Sequence, residues 1–216
     1  DCRVLEACRE GKYTSVLVQT HDKKYVEYRT EHFVNALGSG AGKLCDSMGI
    51  DAGLYPVRHQ AFITRRLPML GKHGTNLDML IDRQDYKGFS AVYGQQIAYT
   101  GQIIGCASPK LDAMRIDKNL KVNTKAFLEI VSEMFSEWIP DLAGVGIQAV
   151  WAGYYTEPRY IVDPELGLFV GMRGHGFMLS QYIARMYVDK LLGRPVPEYF
   201  EKLKLNGPGL SEKAFK

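Results

Sequence analysis

The sequence predicts an α+β protein in which a mostly antiparallel sheet carries flanking helices. Three observations lead there. Residues 3–30 and 77–107 contain short pieces rich in β-branched and aromatic side chains, separated by glycine and charge, as strands and their turns are. Residues 123–138 and 176–192 place apolar side chains three and four positions apart, the period of a helix. Two glycine-rich turns, at residues 38–42 and 171–176, stand between strand-like and helix-like sequence.

The elements follow in order. "RVLEAC", "YTSVLVQT" and "YVEYRT" form an antiparallel meander, with a polar turn at residues 21–24 between the second and third. Residues 33–37 read as a buried strand, and residues 41–48 as a short helix. "GLYPVRHQAFITRRLP" is a strand entered through Pro56 and closed by Pro68. "LDMLIDR", "FSAVYG" and "QIAYTGQIIGC" supply further strands of a mostly antiparallel sheet. The helix over residues 123–138 puts Phe127, Ile130, Val131, Met134, Phe135 and Trp138 on one face, with Asn123 as N-cap and Pro140 beyond its end. That stripe is core. Strand, turn and strand occupy residues 147–170, and a last helix turns Leu179, Tyr182, Ile183 and Met186 inward before stopping at Gly193. The polar tail from residue 206 wraps the surface or frays.

A chain of 216 residues, 46% hydrophobic and 24% charged, can bury a sizeable core. The net charge of +3 comes from scattered Lys and Arg, which leaves no nucleic-acid footprint. No apolar run approaches the ~20 residues that span a bilayer, and no signal peptide opens the chain, so the expected location is the cytoplasm. Cys2, Cys8, Cys45 and Cys106 lack metal-type spacing and are taken as free thiols; no metal site is expected. The chain opens Asp1-Cys2-Arg3 without methionine and enters strand-like sequence at once, as though it began mid-domain.

The turn in "VNALGSGAGKLCDSMGI" invites a phosphate-binding reading. A P-loop needs Gly, four spacers, Gly-Lys and a hydroxyl. Here Leu37 stands at the first glycine and Leu44 at the hydroxyl. The dinucleotide fingerprint G-x-G-x-x-G fails at Lys43, where close helix-on-strand packing requires glycine. What survives is a strand, a glycine turn and a short helix, with or without an anion. The turn of residues 171–176, Gly-Met-Arg-Gly-His-Gly, opens directly into a helix. It is either a ligand-facing loop presenting free N–H groups or simply a tight turn.

Four segments together resemble a known family. "VNALGSGAGKLCDSMGI", "YPVRHQAFIT", "WAGYYTEPRYIVD" and "GLFVGMRGHGFML" occur in the order and spacing of V-N-A-x-G, P-V-[RK]-x-Q, W-A-G and G-x-[SR]-G-H-G-F-M. These are similar to motifs of the flavin-dependent oxidoreductases grouped with D-amino acid oxidase, in the branch of sarcosine oxidase, glycine oxidase and dye-linked L-proline dehydrogenase. The resemblance covers roughly residues 3–195 and corresponds to the second half of such a protein.

It implies a partial Rossmann-like FAD-binding domain at residues 1–50, a substrate domain at 51–150, a return to the FAD domain at 151–195 and a tail at 196–216. It implies oxidation of the C–N bond of an amino acid or secondary amine, of glycine, sarcosine or proline type. The alternatives are a hydroxy-acid or glycerol-phosphate oxidoreductase of the same superfamily, or a non-catalytic subunit. Ala36 and Gly38 would pass beside FAD, and Thr156, Arg173, Gly174, His175, Gly176, Phe177 and Met178 would contact the flavin. There the loop amides and the helix dipole would stabilise charge on the reduced ring. His175 and Tyr155 would face the substrate, His175 being otherwise a packed loop histidine.

Departures from the family pattern matter as much. Gly153 replaces a flavin-linking cysteine, so FAD would be non-covalent; Met178 replaces a lysine, and Tyr154 and Tyr155 stand where glycine oxidases carry a carboxylate-clamping arginine. Arg159 or Arg173 would substitute for that arginine, or else be solvated surface charges. The dinucleotide turn belongs to an N-terminal FAD-binding half, on the same parent chain or on a partner subunit. The 216-residue chain alone is therefore expected not to hold FAD.

Overall fold

The computed structural model describes residues 1–71, 74, 76–83, 88–109 and 124–209, so residue 123 and residues 210–216 lie outside the described residues. It divides into two compact units, one of residues 1–56 with 155–216 and one of residues 57–154.

The first unit opens with the expected meander of β1 (Cys2–Glu10), β2 (Tyr13–Thr20) and β3 (Tyr25–Thr30), each antiparallel to the next. Helix α1 (Ala41–Ser47) docks on β1, where Ser47 Oγ accepts from Ala7 N at 3.1 Å and donates to Ala7 O at 3.3 Å. Leu44 joins Ala7, Val16 and Val18 in the core beneath.

Residues 33–37 do not form the buried strand the sequence suggests. Only Asn35 is buried, and it makes a single parallel bridge to Leu168, while Val34 and Leu37 are each 45% exposed. Among the described residues only Asn35 of this segment pairs, bonding to Gly167 and Phe169, and the chain turns at Leu37 and Gly38 (φ 55°) before a ladder can extend.

The second unit is built on a five-stranded sheet in the order β5-β6-β7-β4-β8. Its strands are β4 (Tyr55–Thr64), β5 (Leu80–Asp82), β6 (Phe89–Gln96), β7 (Ile103–Pro109) and β8 (Ile147–Glu157). The pairs β4–β7, β5–β6 and β6–β7 are antiparallel, as the sequence predicts. "QIAYTGQIIGC" is not one strand. Ile97 N donates to Gln102 O at 2.8 Å and Gly101 N to Ile97 O at 3.1 Å, closing the β6–β7 hairpin at Gly101, whose φ is 68°.

Helix α2 (Thr124–Trp138) covers the sheet with Phe127, Ile130, Val131, Met134 and Phe135, all at most 3% exposed. The Phe62 ring packs on Phe127 and edge-on against Phe135, with centroids 6.0 and 5.7 Å away. Its cross-strand partner is Gly105, where an added Cβ would lie 2.5 Å from the ring. Trp138 is half-buried, its Nε1 donating to Asp82 Oδ2 at 3.0 Å.

The tail end of β8 leads back into the first unit, followed by the antiparallel pair β9 (Ile161–Asp163) and β10 (Leu168–Val170). Asp163 Oδ1 closes their turn by accepting from the amides of Glu165 and Leu166. Helix α3 (Gly176–Leu191) buries Ile183, Met186 and Tyr187. Tyr182, expected inside, is 54% exposed, with its hydroxyl 2.8 Å from that of Tyr199. The helix stops at Gly193, φ 68°, with Arg194 N donating to Asp189 O. Beyond it a 3-10 segment (Glu198–Leu203) drives Phe200 and Leu203 into the core, so this part of the tail is structural.

Candidate functional site

Two glycine turns of the first unit meet around one residue. Asn35 sets the first: its backbone exchanges hydrogen bonds with Gly167 and Phe169, its Nδ2 donates to Ala41 O at 3.0 Å, and its Oδ1 accepts from Leu37 N at 3.3 Å. A buried amide satisfied on both ends fixes the path of the chain into the turn. Cys45 lies against the same amide, and burial pushes its thiol above the usual range. Asn35 and Leu168 pair in parallel, so the chain enters the first turn alongside β10. Leu54 lies between the two turns. An added Cβ on Gly42 would meet its carbonyl at 2.9 Å, and one on Gly171 its Cδ2 at 3.4 Å.

The second turn holds most of the residues singled out from sequence. Gly171, φ 72°, lies against Arg159 O, which an added Cβ would meet at 1.8 Å. Arg173, also left-handed at φ 50°, is held by Glu157, whose Oε2 accepts from Nε at 2.6 Å. Gly174 sits against Tyr155, whose ring an added Cβ would approach to 2.7 Å. His175 Nδ1 is hydrogen-bonded to the hydroxyl of Tyr160, itself 8% exposed. Gly176 begins α3, and Phe177 and Met178 then stand 99% and 68% exposed. Thr156 is buried in β8.

The structure therefore gathers Tyr155, Arg173, Gly174 and His175 around one turn, with Gly176, Phe177 and Met178 at the start of α3. Ala36 and Gly38 are exposed on the neighbouring turn, and an added Cβ on Gly38 would meet nothing within 4 Å. Neither arginine is a solvated charge. Arg173 is paired to Glu157, and Arg159 donates to Gly207 O at 3.0 Å and to Leu205 O. Sequence reasoning passed over Asn35, Leu54, Glu157 and Tyr160. Asn35 carried a signal, as the one polar side chain in an apolar run. Glu157 and Tyr160 carried none, since their partners lie 16 and 15 residues away and in no periodic register.

Residues 1–190 match the family described as FAD dependent oxidoreductase. The chain belongs to this FAD dependent oxidoreductase family. Among solved structures it is similar to L-proline dehydrogenase from P. horikoshii, with 25% identity and a TM-score of 0.68 over 94% of this chain and 53% of that one. It also resembles glycine oxidase from Geobacillus kaustophilus (18% identity, TM-score 0.67, covering 95% and 52%). Iminodiacetate oxidase from Chelativorans sp. BNC1 shares the fold as well, at 14% identity and TM-score 0.65, covering 97% and 53%. The chain spans about half the length of these oxidoreductases. A comparison with curated proteins found no match. Among the described residues of this family member no helix is long and apolar enough to cross a membrane, and no three His, Cys, Asp or Glu groups gather as a metal site.

Proposed function

We propose that this chain forms the isoalloxazine-facing and substrate-facing part of an FAD-dependent enzyme that oxidises the C–N bond of an amino acid or secondary amine. One observation carries the reading: the turn of residues 171–176 presents a braced histidine and a glycine against an aromatic ring, directly before a helix start whose side chains are left in solvent. The residues fit the group. A glycine cradle and the first N–H groups of α3 are suited to a polar ring edge, while Phe177, Met178, Val34 and Leu37 offer uncovered apolar surface beside the two turns.

Bound there, FAD would supply the acceptor for a hydride from the carbon next to the amine nitrogen. Within this reading Gly174, Gly176, Phe177 and Met178 hold the pyrimidine edge, their N–H groups and the helix dipole favouring negative charge. Arg173, held by Glu157, keeps the turn in its left-handed path. Thr156 and Tyr155 support it from below, and Ala36 and Gly38 pass beside the dinucleotide. His175 has Nδ1 occupied by Tyr160, which leaves Nε2 as the nitrogen to orient a substrate carboxylate.

Likeness to the P. horikoshii L-proline dehydrogenase, at 25% identity, supports proline among the substrates of this reading. Residues 1–50 and 151–195 would complete an FAD-binding domain whose dinucleotide turn lies in an N-terminal half, on the parent chain or a partner subunit, with residues 51–150 as the substrate domain.

The experiment is a visible spectrum of the purified 216-residue chain and of the same chain joined to that half. The joined protein is expected to show flavin bands bleached anaerobically by proline, sarcosine or glycine, and the chain alone none. Stoichiometric flavin on the isolated chain would overturn the division of labour, and bleaching by hydroxy acids alone would overturn the amine substrate.

A further inference from the structure

We propose that residues 200–207 form a strap that positions His175, with Arg159 as the positioning residue; its catalytic meaning rests on the flavin reading above. The strap is anchored at several points. Phe200 and Leu203 are 0% and 1% exposed in the core. Lys204 Nζ bridges Glu165 Oε1 at 2.9 Å and Glu201 Oε2 at 3.1 Å, and Leu205 N donates to Asp163 Oδ2 at 3.4 Å.

Between these anchors two strap carbonyls, of Leu205 and Gly207, are taken up by the two terminal nitrogens of Arg159. A planar fork bound at both tips leaves its residue little freedom to rotate, which a lysine would not reproduce. Arg159 then reaches the turn twice. Its own carbonyl lies against Gly171 where the turn begins, so close that a Cβ there would meet it at 1.8 Å. Its neighbour Tyr160 holds His175 Nδ1 where the turn ends. Strap, guanidinium, backbone and phenol thus form one line of contacts ending at the imidazole.

The test uses the full-length protein, with and without FAD, and follows the ring nitrogen signals of His175 by NMR, which report its tautomer, beside the flavin spectrum. A chain cut after Gly209 keeps both acceptor carbonyls, while one cut after Lys204 loses both but retains Phe200 and Leu203. The expected result is no change for the first and about a 2–10-fold change in tautomer ratio for the second, the effect of one lost hydrogen bond. Arg159→Met should match the second cut, Arg159→Lys should recover part of it, and the cut combined with Arg159→Met should go no further than either.

Should the chain cut after Lys204 not fold, the Arg159→Met and Arg159→Lys proteins, with Tyr160→Phe as the full-effect reference, decide the matter. His175 signals unchanged in folded Arg159→Met protein would overturn the strap. A protein that shows these changes but never binds flavin sinks the flavin reading and leaves the strap standing. A flavoprotein whose His175 ignores them does the reverse.

Discussion

At Gly171 two demands coincide, a left-handed backbone and a carbonyl pressed against the α-carbon. Gly193 meets only the first, since an added Cβ there would find open space. Comparing Gly171→Ala with Gly193→Ala therefore separates conformational strain from contact. The helix-stop variant should cost about 1 kcal/mol, as left-handed backbone does for an L residue. The turn variant should cost that and a further penalty for displacing Arg159, read as a shift in urea midpoint at unchanged m-value. Equal costs would mean that Arg159 and the turn move apart freely. A similar economy governs Asn35, whose side chain satisfies a turn and a helix start while its backbone bonds to Gly167 and Phe169.

Helix α2 was legible in sequence because its signal is local, an apolar stripe repeating within one element, and the same stripe sets its energetics. Phe127→Ala should destabilise the protein by about 3–5 kcal/mol, as for other fully buried phenylalanines, measured by thermal or denaturant unfolding. Other elements were hidden for physical reasons. The segment around Asn35 reads as a buried strand from composition, yet pairing depends on Leu168, which no periodicity points to. In α3 the buried face includes Tyr187 and leaves Tyr182 in solvent, because that helix packs against the 3-10 segment carrying Phe200 and Leu203. Those two lie in the short stretch between the helix stop and the polar tail, where no periodicity marks a core face. The candidate turn was visible as glycine spacing, whereas its braces, Glu157 and Tyr160, came from folding alone.

The strap also has a pH signature. Glu165 and Glu201 sit below the usual carboxylate range, Glu165 chiefly through its bond to Lys204 and Glu201 chiefly through Lys190, while Lys204 is raised by Glu165 and Glu201. Depressed carboxyls contribute stability above their ordinary range and lose it as pH falls through their folded values. Raised Lys204 contributes below its ordinary value and loses it at strongly alkaline pH. Amide protection at Phe200 and Lys204 should therefore hold through neutrality and drop in acid. Because the two carboxylates are exposed, the drop should shrink in high salt.

At the scale of the whole molecule the order of the chain matters. The unit of residues 57–154 is continuous in sequence, whereas the other needs both residues 1–56 and residues 155–216. The continuous unit has its own aromatic core around Phe62, Phe89, Phe127 and Phe135. Expressed alone, residues 57–154 should show cooperative unfolding, and a non-cooperative melt would count against the autonomy of that core. In this member of the FAD dependent oxidoreductase family the sequence of one unit is thus interrupted by that of the other.

That interruption sets a timetable during synthesis. Within these 216 residues β1, β2, β3 and α1 leave the ribosome before the middle unit, yet Asn35 must wait for Leu168, and the core of Tyr160, Tyr187 and Phe200 closes only once residues past 200 have emerged. The middle unit can fold in the interval. Ala41, Cys45 and Ala52 therefore lack Ile161, Leu168 and Val170 until the middle unit has been made, so translational pausing or chaperone capture should act on that face of residues 1–56 rather than on the middle unit.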